Sequence, residues 1–201
     1  MRPSLLPAAA TLALLAAPLC AAPAFAQNAG SQSLTPHEET FAKEAAIGNL
    51  SEVEAGQYAE THAASPAVRE FGRWLATDHT MAQQLLELSV RPAGLQLPTT
   101  PDQEHKQKIE QLTRLHGQQF DQAFVTAMVQ DHEKDVGTYQ KESEDGHSRL
   151  RGYAIMVLPG LEQHLLEAQD LNHLAKEGGL ATAAGGDGAG SASSVGNGSQ
   201  Q

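Results

Sequence analysis

The chain has 201 residues, with 13 Lys+Arg against 24 Asp+Glu and a formal net charge of −11. That acidity, spread over a chain with no basic patch, excludes nucleic acid as an expected partner and makes anionic lipid surfaces poor ones. Its single cysteine, Cys20, lies close to the N-terminus, so the chain after it has no disulfide, no thiol chemistry and no thiolate metal ligand.

Arg2 supplies a positive start, the stretch from Leu5 to Ala22 is almost wholly apolar, and Ala24-Phe25-Ala26 offers a small-x-small cleavage site. Residues 1–26 therefore read as a cleaved signal peptide of a periplasmic or otherwise exported protein, with the mature chain starting at Gln27. Pro7 and Pro18 interrupt the apolar run and no basic flank comes after it, so no transmembrane anchor is expected in the mature chain. Leu19 before Cys20 argues against lipid attachment, which favours a small residue there. Residues 27–34 form a short polar lead expected to be flexible.

Thr35-Pro36-His37-Glu38 combines an N-cap, a proline at the first helical position and a capping-box glutamate, opening a helix to about Ala63. Ser65-Pro66 restarts a second helix after a turn too short for anything but an antiparallel hairpin, and that helix runs to about Val90. Arg91-Pro92-Ala93-Gly94 ends it. Thr100-Pro101-Asp102-Gln103 reads as a second capping box before a short polar helix to about Leu115, which Gly117 breaks. A long helix spans Gln118 to about Asp145, with Gly146 expected as a left-handed cap. Ser148 is expected to cap the last helix, which reaches about Lys176. From Gly178 to Gln201 the chain is Gly, Ala, Ser, Asn and Gln with little else, and this composition predicts a disordered tail.

The folded part, residues 35–177, is thus one all-α domain, a bundle of four long helices. The connector from Arg91 to Gly117 is long enough, through its short extra helix, to traverse the bundle. That predicts a ferritin-like topology with one long crossover and parallel middle helices, with an all-antiparallel bundle as the fallback.

Apolar stripes at three- and four-residue steps carry Glu52 in helix one, His79 in helix two, His132 in helix three and His164 in helix four. Counted from the two hairpin turns, all four fall near mid-bundle, within about one helical turn of 5.4 Å. Imidazoles and a carboxylate suit one divalent transition metal such as iron or zinc, and each neutral ligand ring needs an outer acceptor for its second nitrogen. Asp78 and Asp131, which precede His79 and His132, are placed to hold rings on adjacent helices. The two helices share a frame, Phe71, Leu75, Asp78, His79 against Phe124, Met128, Asp131, His132. The other reading is structural: core histidines bonded to carboxylates or to a carbonyl freed by Pro159. Glu54 is an alternative first-helix carboxylate. His37, His62, His105, His116, His147 and His173 fall at helix ends, in the connector or on polar faces, and are expected to be solvated. Trp74, Phe71, Phe120 and Phe124 are spaced as core. No phosphate loop or nucleophile elbow is present.

The run Glu52-Val53-Glu54-Ala55-Gly56 with Ala59, then Val68, Phe71, Asp78-His79, Leu97-Pro98, Phe120-Asp121, Met128, His132, Leu158-Pro159, Leu161 and His164-Leu165 resembles the bacterial exported family called domain of unknown function 4142. The resemblance covers about Thr35 to Leu174. It implies a ferritin-like bundle in the periplasm or associated with the outer membrane, and marks Glu52, Asp78, His79, Asp121, His132, Pro159 and His164, placing Asp121 with Asp78 and Asp131 around the ligands. It supplies no chemistry. Ferritin-like di-iron sites use Glu-x-x-His on two helices, whereas Ala76, Val129 and Leu161 stand three before these histidines. A bound metal is therefore expected to be mononuclear, in a metal-handling or redox role. The competing class is a non-catalytic structural or envelope-stress module with a polar core, and protein partners are unassigned.

Overall fold

The computed structural model describes residues 33–181, which form five α-helices and no strand. They are α1 (Pro36–His62), α2 (Pro66–Val90), α3 (Gln103–Thr113), α4 (Gly117–Glu144) and α5 (Arg151–Lys176), with 3₁₀ turns at Arg91–Ala93 and Gly179–Ala181. The expected signal sequence and its expected cleavage site after Ala26, Cys20, the lead as far as residue 32 and the chain beyond Ala181 lie outside the described residues. No helix among the described residues is long and apolar enough to cross a membrane.

The start of α1 is set by its first four residues. Thr35 Oγ1 accepts the Glu38 N–H at 3.2 Å while Glu38 Oε2 accepts the Thr35 N–H at 2.6 Å, a reciprocal capping box. Glu38 then does a second job. Its other oxygen accepts the Arg149 N–H at 2.6 Å, which fastens the turn between α4 and α5 to the first turn of α1. At the opposite end, α2 starts without help from its own N-cap side chain. Asp121 of α4 supplies the acceptor instead, taking the N–H of Ala64 at 2.9 Å and of Ser65 at 2.7 Å.

Two hairpins, α1–α2 and α4–α5, make the bundle. Phe41 near the start of α1 packs on Tyr139 near the end of α4, while Phe71 near the start of α2 packs on Phe124 near the start of α4. Hence α2 and α4 run parallel and α3 carries the chain back from one end to the other alongside α1, where the Tyr58 hydroxyl donates to the Thr113 carbonyl at 3.1 Å. This is the one-crossover arrangement that the long connector predicts. Within the first hairpin the backbones nearly touch. A Cβ on Gly56 would stand 2.5 Å from the Gly72 carbonyl oxygen, and one on Gly72 would stand 2.7 Å from the Ala59 Cβ. Only glycine fits at both positions.

The core is two apolar clusters with a polar layer between them. One holds Phe71, Leu75, Phe120, Phe124 and Leu171; the other holds Phe41, Leu86, Tyr139, Leu150 and Tyr153. Glu52, His79, His132 and His164 lie between them and are all buried.

Several local expectations need correction. Asp102, not Thr100, caps α3, because its carboxylate accepts the His105 N–H at 2.9 Å. Gly146 is not left-handed; Gly94, Gly117 and Gly178 take that conformation instead. Leu150, not Ser148, is the N-cap of α5, although the Ser148 hydroxyl accepts the Leu150 N–H at 3.0 Å. Trp74 is not core but lies at the surface, 36% exposed. The stretch expected to be tail from Gly178 begins with residues that pack on the bundle, Leu180 being 4% exposed within the first cluster.

Candidate metal centre

Each long helix contributes one residue to the polar layer. The Gly56–Gly72 contact sets α1 and α2 close together, which puts Glu52 beside His79 one to two turns further along. One nitrogen from each of His79, His132 and His164 lies within 4.8 Å of the others. Glu52 sits beside this cluster and not inside it, its Oε2 2.8 Å from His79 Nε2 and its Oε1 3.4 Å from His132 Nδ1, the nitrogen that points away from His164.

The protons on the rings are fixed by their outer partners. His132 Nδ1 faces the Met128 carbonyl at 3.0 Å, which accepts only, so this nitrogen carries hydrogen and donates. His164 Nε2 lies 3.1 Å from Asp78 Oδ2 and donates to that carboxylate. His79 Nδ1 lies 3.1 Å from Asn49 Oδ1; the Asn49 amide nitrogen donates to the Tyr153 hydroxyl at 3.2 Å, which leaves Oδ1 as the acceptor. All three outer nitrogens are therefore N–H donors with fixed acceptors. In neutral rings the inner nitrogens of His132 and His164 then present lone pairs toward each other, and that of His79 presents its lone pair toward Glu52. His132 Nε2 and His164 Nδ1 face each other at 3.3 Å. His79 Nε2 and both Glu52 oxygens are buried without a hydrogen bond, since the close His79–Glu52 contact is off the hydrogen-bond line.

Such an arrangement requires positive charge between the donors. Two protons satisfy it, one shared by His132 and His164 and one on His79 facing Glu52; a divalent cation serves in their place. Burial works against a charged His79, but the Glu52 carboxylate outweighs it and holds the ring above its usual pKa. Burial would likewise raise Glu52, yet the His79 and His132 charges bring it to about 2. His164 moves the other way, to about 4, through burial and then the charges on His79 and His132, with Asp78 opposing. Three converging imidazoles fit a single transition-metal ion of borderline softness, with the Glu52 carboxylate beside His79 as the nearest anion. Among the described residues no carboxylate stands within ligand distance of all three rings to bridge a metal pair, and Ala76, Val129 and Leu161 fill the positions where a di-iron site needs glutamates.

Of the surrounding aspartates, Asp78 alone holds a ring, and it is the ring of the adjacent helix. Asp131 instead faces the crossover, 3.9 Å from Lys108 Nζ. Asp121 is spent at the end of the bundle on the N–H groups of Ala64 and Ser65. Glu54 is exposed and takes no part. Pro159 frees no carbonyl for His164; the backbone acceptor in the layer is Met128, four residues before His132. His37 is largely exposed, though its Nε2 lies 3.1 Å from the buried Glu142. Residues not foreseen as parts of the site are Asn49, Tyr153, Tyr139 and Trp74. The first three form a buried chain, the two tyrosine hydroxyls being 3.0 Å apart, and Trp74 Nε1 donates to Asp78 Oδ2 at 2.8 Å. Asn49 has a sequence signal, standing three residues before Glu52 on the same stripe.

The chain belongs to the family described as Domain of unknown function (DUF4142), whose model matches residues 23–171. No curated protein and no solved structure gives a significant match.

Proposed function

We propose that this is an exported, periplasmic helical bundle that holds one transition-metal ion, iron or zinc, through His79, His132, His164 and Glu52, in metal handling or redox defence. The observation that carries the reading is the convergence of three buried inner nitrogens whose outer nitrogens are each committed to a fixed acceptor. Outer partners of that kind orient ligand rings and raise their basicity. In an apolar-walled layer an ionised carboxylate also attracts a cation more strongly than it would in water, which offsets part of the cost of dehydrating the ion. Export rests on the leader-like first 26 residues and the absence of cysteine after Cys20.

A bound metal would supply Lewis acidity or a redox couple. The chain's own part is to fix the three rings, keep Glu52 ionised and exclude bulk water through the apolar clusters on either side. The structural alternative, a polar network without metal, draws on the continuous hydrogen-bond chain from Tyr139 through Tyr153 and Asn49 to His79.

Metal analysis of protein isolated from its native compartment, combined with melts with and without chelator, tests the reading. Replacing any one histidine by Ala should weaken binding by at least the roughly 10–100-fold typical of losing even an outer partner. It should also lower the holo melting point more than the apo one, because a ligand stabilises only the state it binds. Identical chelator responses in wild type and all three variants would sink the proposal.

A further inference from the structure

The polar layer is approached from two sides of different character. Between α1, α3 and α4 a cavity of about 260 Å³ ends on Glu52, and six carboxylates line it against two lysines. On the opposite side, between α2 and α5, a groove of about 200 Å³ reaches His79 and His164 past Met81, Leu85, Met156 and Leu161.

We infer that the metal ion reaches the histidines through the acidic cavity beneath the crossover helix, with Glu52 as its first buried contact, and not through the apolar groove. The inference rests on the metal-binding reading proposed for the same histidines. Three observations carry it. Glu52 is 5% exposed, lines the cavity, and has two oxygens that accept no hydrogen bond. A desolvating divalent ion needs compensating charge at every stage of burial, and the groove offers one carboxylate, Asp78, whose Oδ2 is already engaged by Trp74 and His164. The cavity supplies it stepwise, from Asp131 and Asp135 at the α4 wall to Glu52 at its floor, and a low-dielectric cleft whose lining is net negative concentrates cations. Lys108 spans the opening, 3.4 Å from Glu104 and 3.9 Å from Asp131, so the crossover helix covers the route without sealing it.

Two glycines allow each approach to be filled separately. Gly48 lines the acidic cavity, and a Cβ there meets only Asp135 Oδ2 at 3.9 Å; Gly160 lines the groove, and a Cβ there meets nothing within 4 Å. The experiment uses the full mature chain and Co²⁺ alone, with uptake monitored by stopped-flow fluorescence and affinity by equilibrium dialysis. Gly48→Leu should slow association at least tenfold and leave affinity within twofold, since it blocks the route and not the ligands. Gly160→Leu should bind at the wild-type rate. In the unplugged protein, Asp131→Asn with Asp135→Asn should slow association severalfold, which keeps the test independent of whether the leucine variant folds. Wild-type rates in both Gly48→Leu and the double aspartate variant, or slowing confined to Gly160→Leu, would overturn the route while leaving the metal site standing. Failure of the wild type to retain Co²⁺ in dialysis would overturn the binding reading itself.

Discussion

Trp74 and His164 share one oxygen atom: the indole N–H donates to Asp78 Oδ2 at 2.8 Å, and the imidazole Nε2 lies 3.1 Å from the same atom. The two rings also meet edge-on, with centroids 4.8 Å apart. Because this is the only tryptophan in the chain, its emission reports on a single environment. Binding of Co²⁺ or Cu²⁺ should quench it stoichiometrically, with Zn²⁺ shifting it far less. His164→Ala should abolish the response, and a wild-type protein whose emission ignores bound Co²⁺ would place the metal elsewhere.

Metal uptake should release protons. If a divalent ion replaces the proton on His79, whose ring the Glu52 carboxylate holds above its usual pKa, calorimetry in buffers of different ionisation enthalpy should report about one released per metal at neutral pH. A value near zero would mean that the cation adds to the protonated network without displacing it.

Two buried carboxylates should make the stability of the metal-free protein depend on pH in opposite senses. Glu52 is brought from 4.5 to about 2, against the effect of burial, by His79 and His132. Its contribution is therefore complete above pH 4.5 and is lost as pH falls toward 2. Asp135 is raised from 3.8 to about 7 by burial and by the Glu52 charge. Its contribution is complete below pH 3.8 and is lost as pH rises through 7. Denaturant titrations across pH should show Glu52→Gln flattening the loss between pH 4.5 and 2, and Asp135→Asn flattening the loss between pH 3.8 and 7.

Gly72→Ala should destabilise by at least the roughly 1–3 kcal/mol of an overpacked core, because the new methyl would meet backbone that cannot step aside. The same change at Gly152, where a Cβ has open space, should be neutral or stabilising. Thermal melts of the two variants compare them directly, and equal effects would contradict the close approach of α1 and α2.

Truncation should distinguish two ends. A chain stopped after Ala181 should melt like the full chain. One stopped after Lys176 also loses buried Leu180, worth about 1.5–3 kcal/mol. Equal midpoints for the two truncations would show that this last turn adds nothing.

Much of the fold and of the site is legible in the sequence because caps and stripes are local signals. Thr35, Pro36 and Pro66 mark where two helices begin, and the spacing to the hairpin turns puts Glu52, His79, His132 and His164 at one depth. Asp78 and Asp131 show where such signals stop. They occupy equivalent positions before a histidine, yet one holds His164 and the other faces Lys108. What separates them is which neighbour covers each flank, α5 in one case and the crossover helix in the other, and that is decided by tertiary packing. Gly146 misleads for a related reason: an αL cap is one of several ways to end a helix, and here Asp145 leaves α4 in extended geometry. Periodicity assigns Trp74 to the core because it describes a stripe without its edges.

Three buried carboxylates, Glu38, Glu52 and Asp121, cross the seam between the hairpins near its two ends and its middle. For a folding chain this amounts to a proofreading step. Each hairpin is built from contacts close in sequence and forms early; docking the pair is the slow search over long-range contacts. A dock slipped by one helical turn, about 5.4 Å, would still cover apolar surface. It would also strand three carboxylates away from their N–H and imidazole partners, at about 3–5 kcal/mol for each charge left buried and unpaired. Slipped encounters are thereby short-lived, and the chain separates and tries again until all three meet.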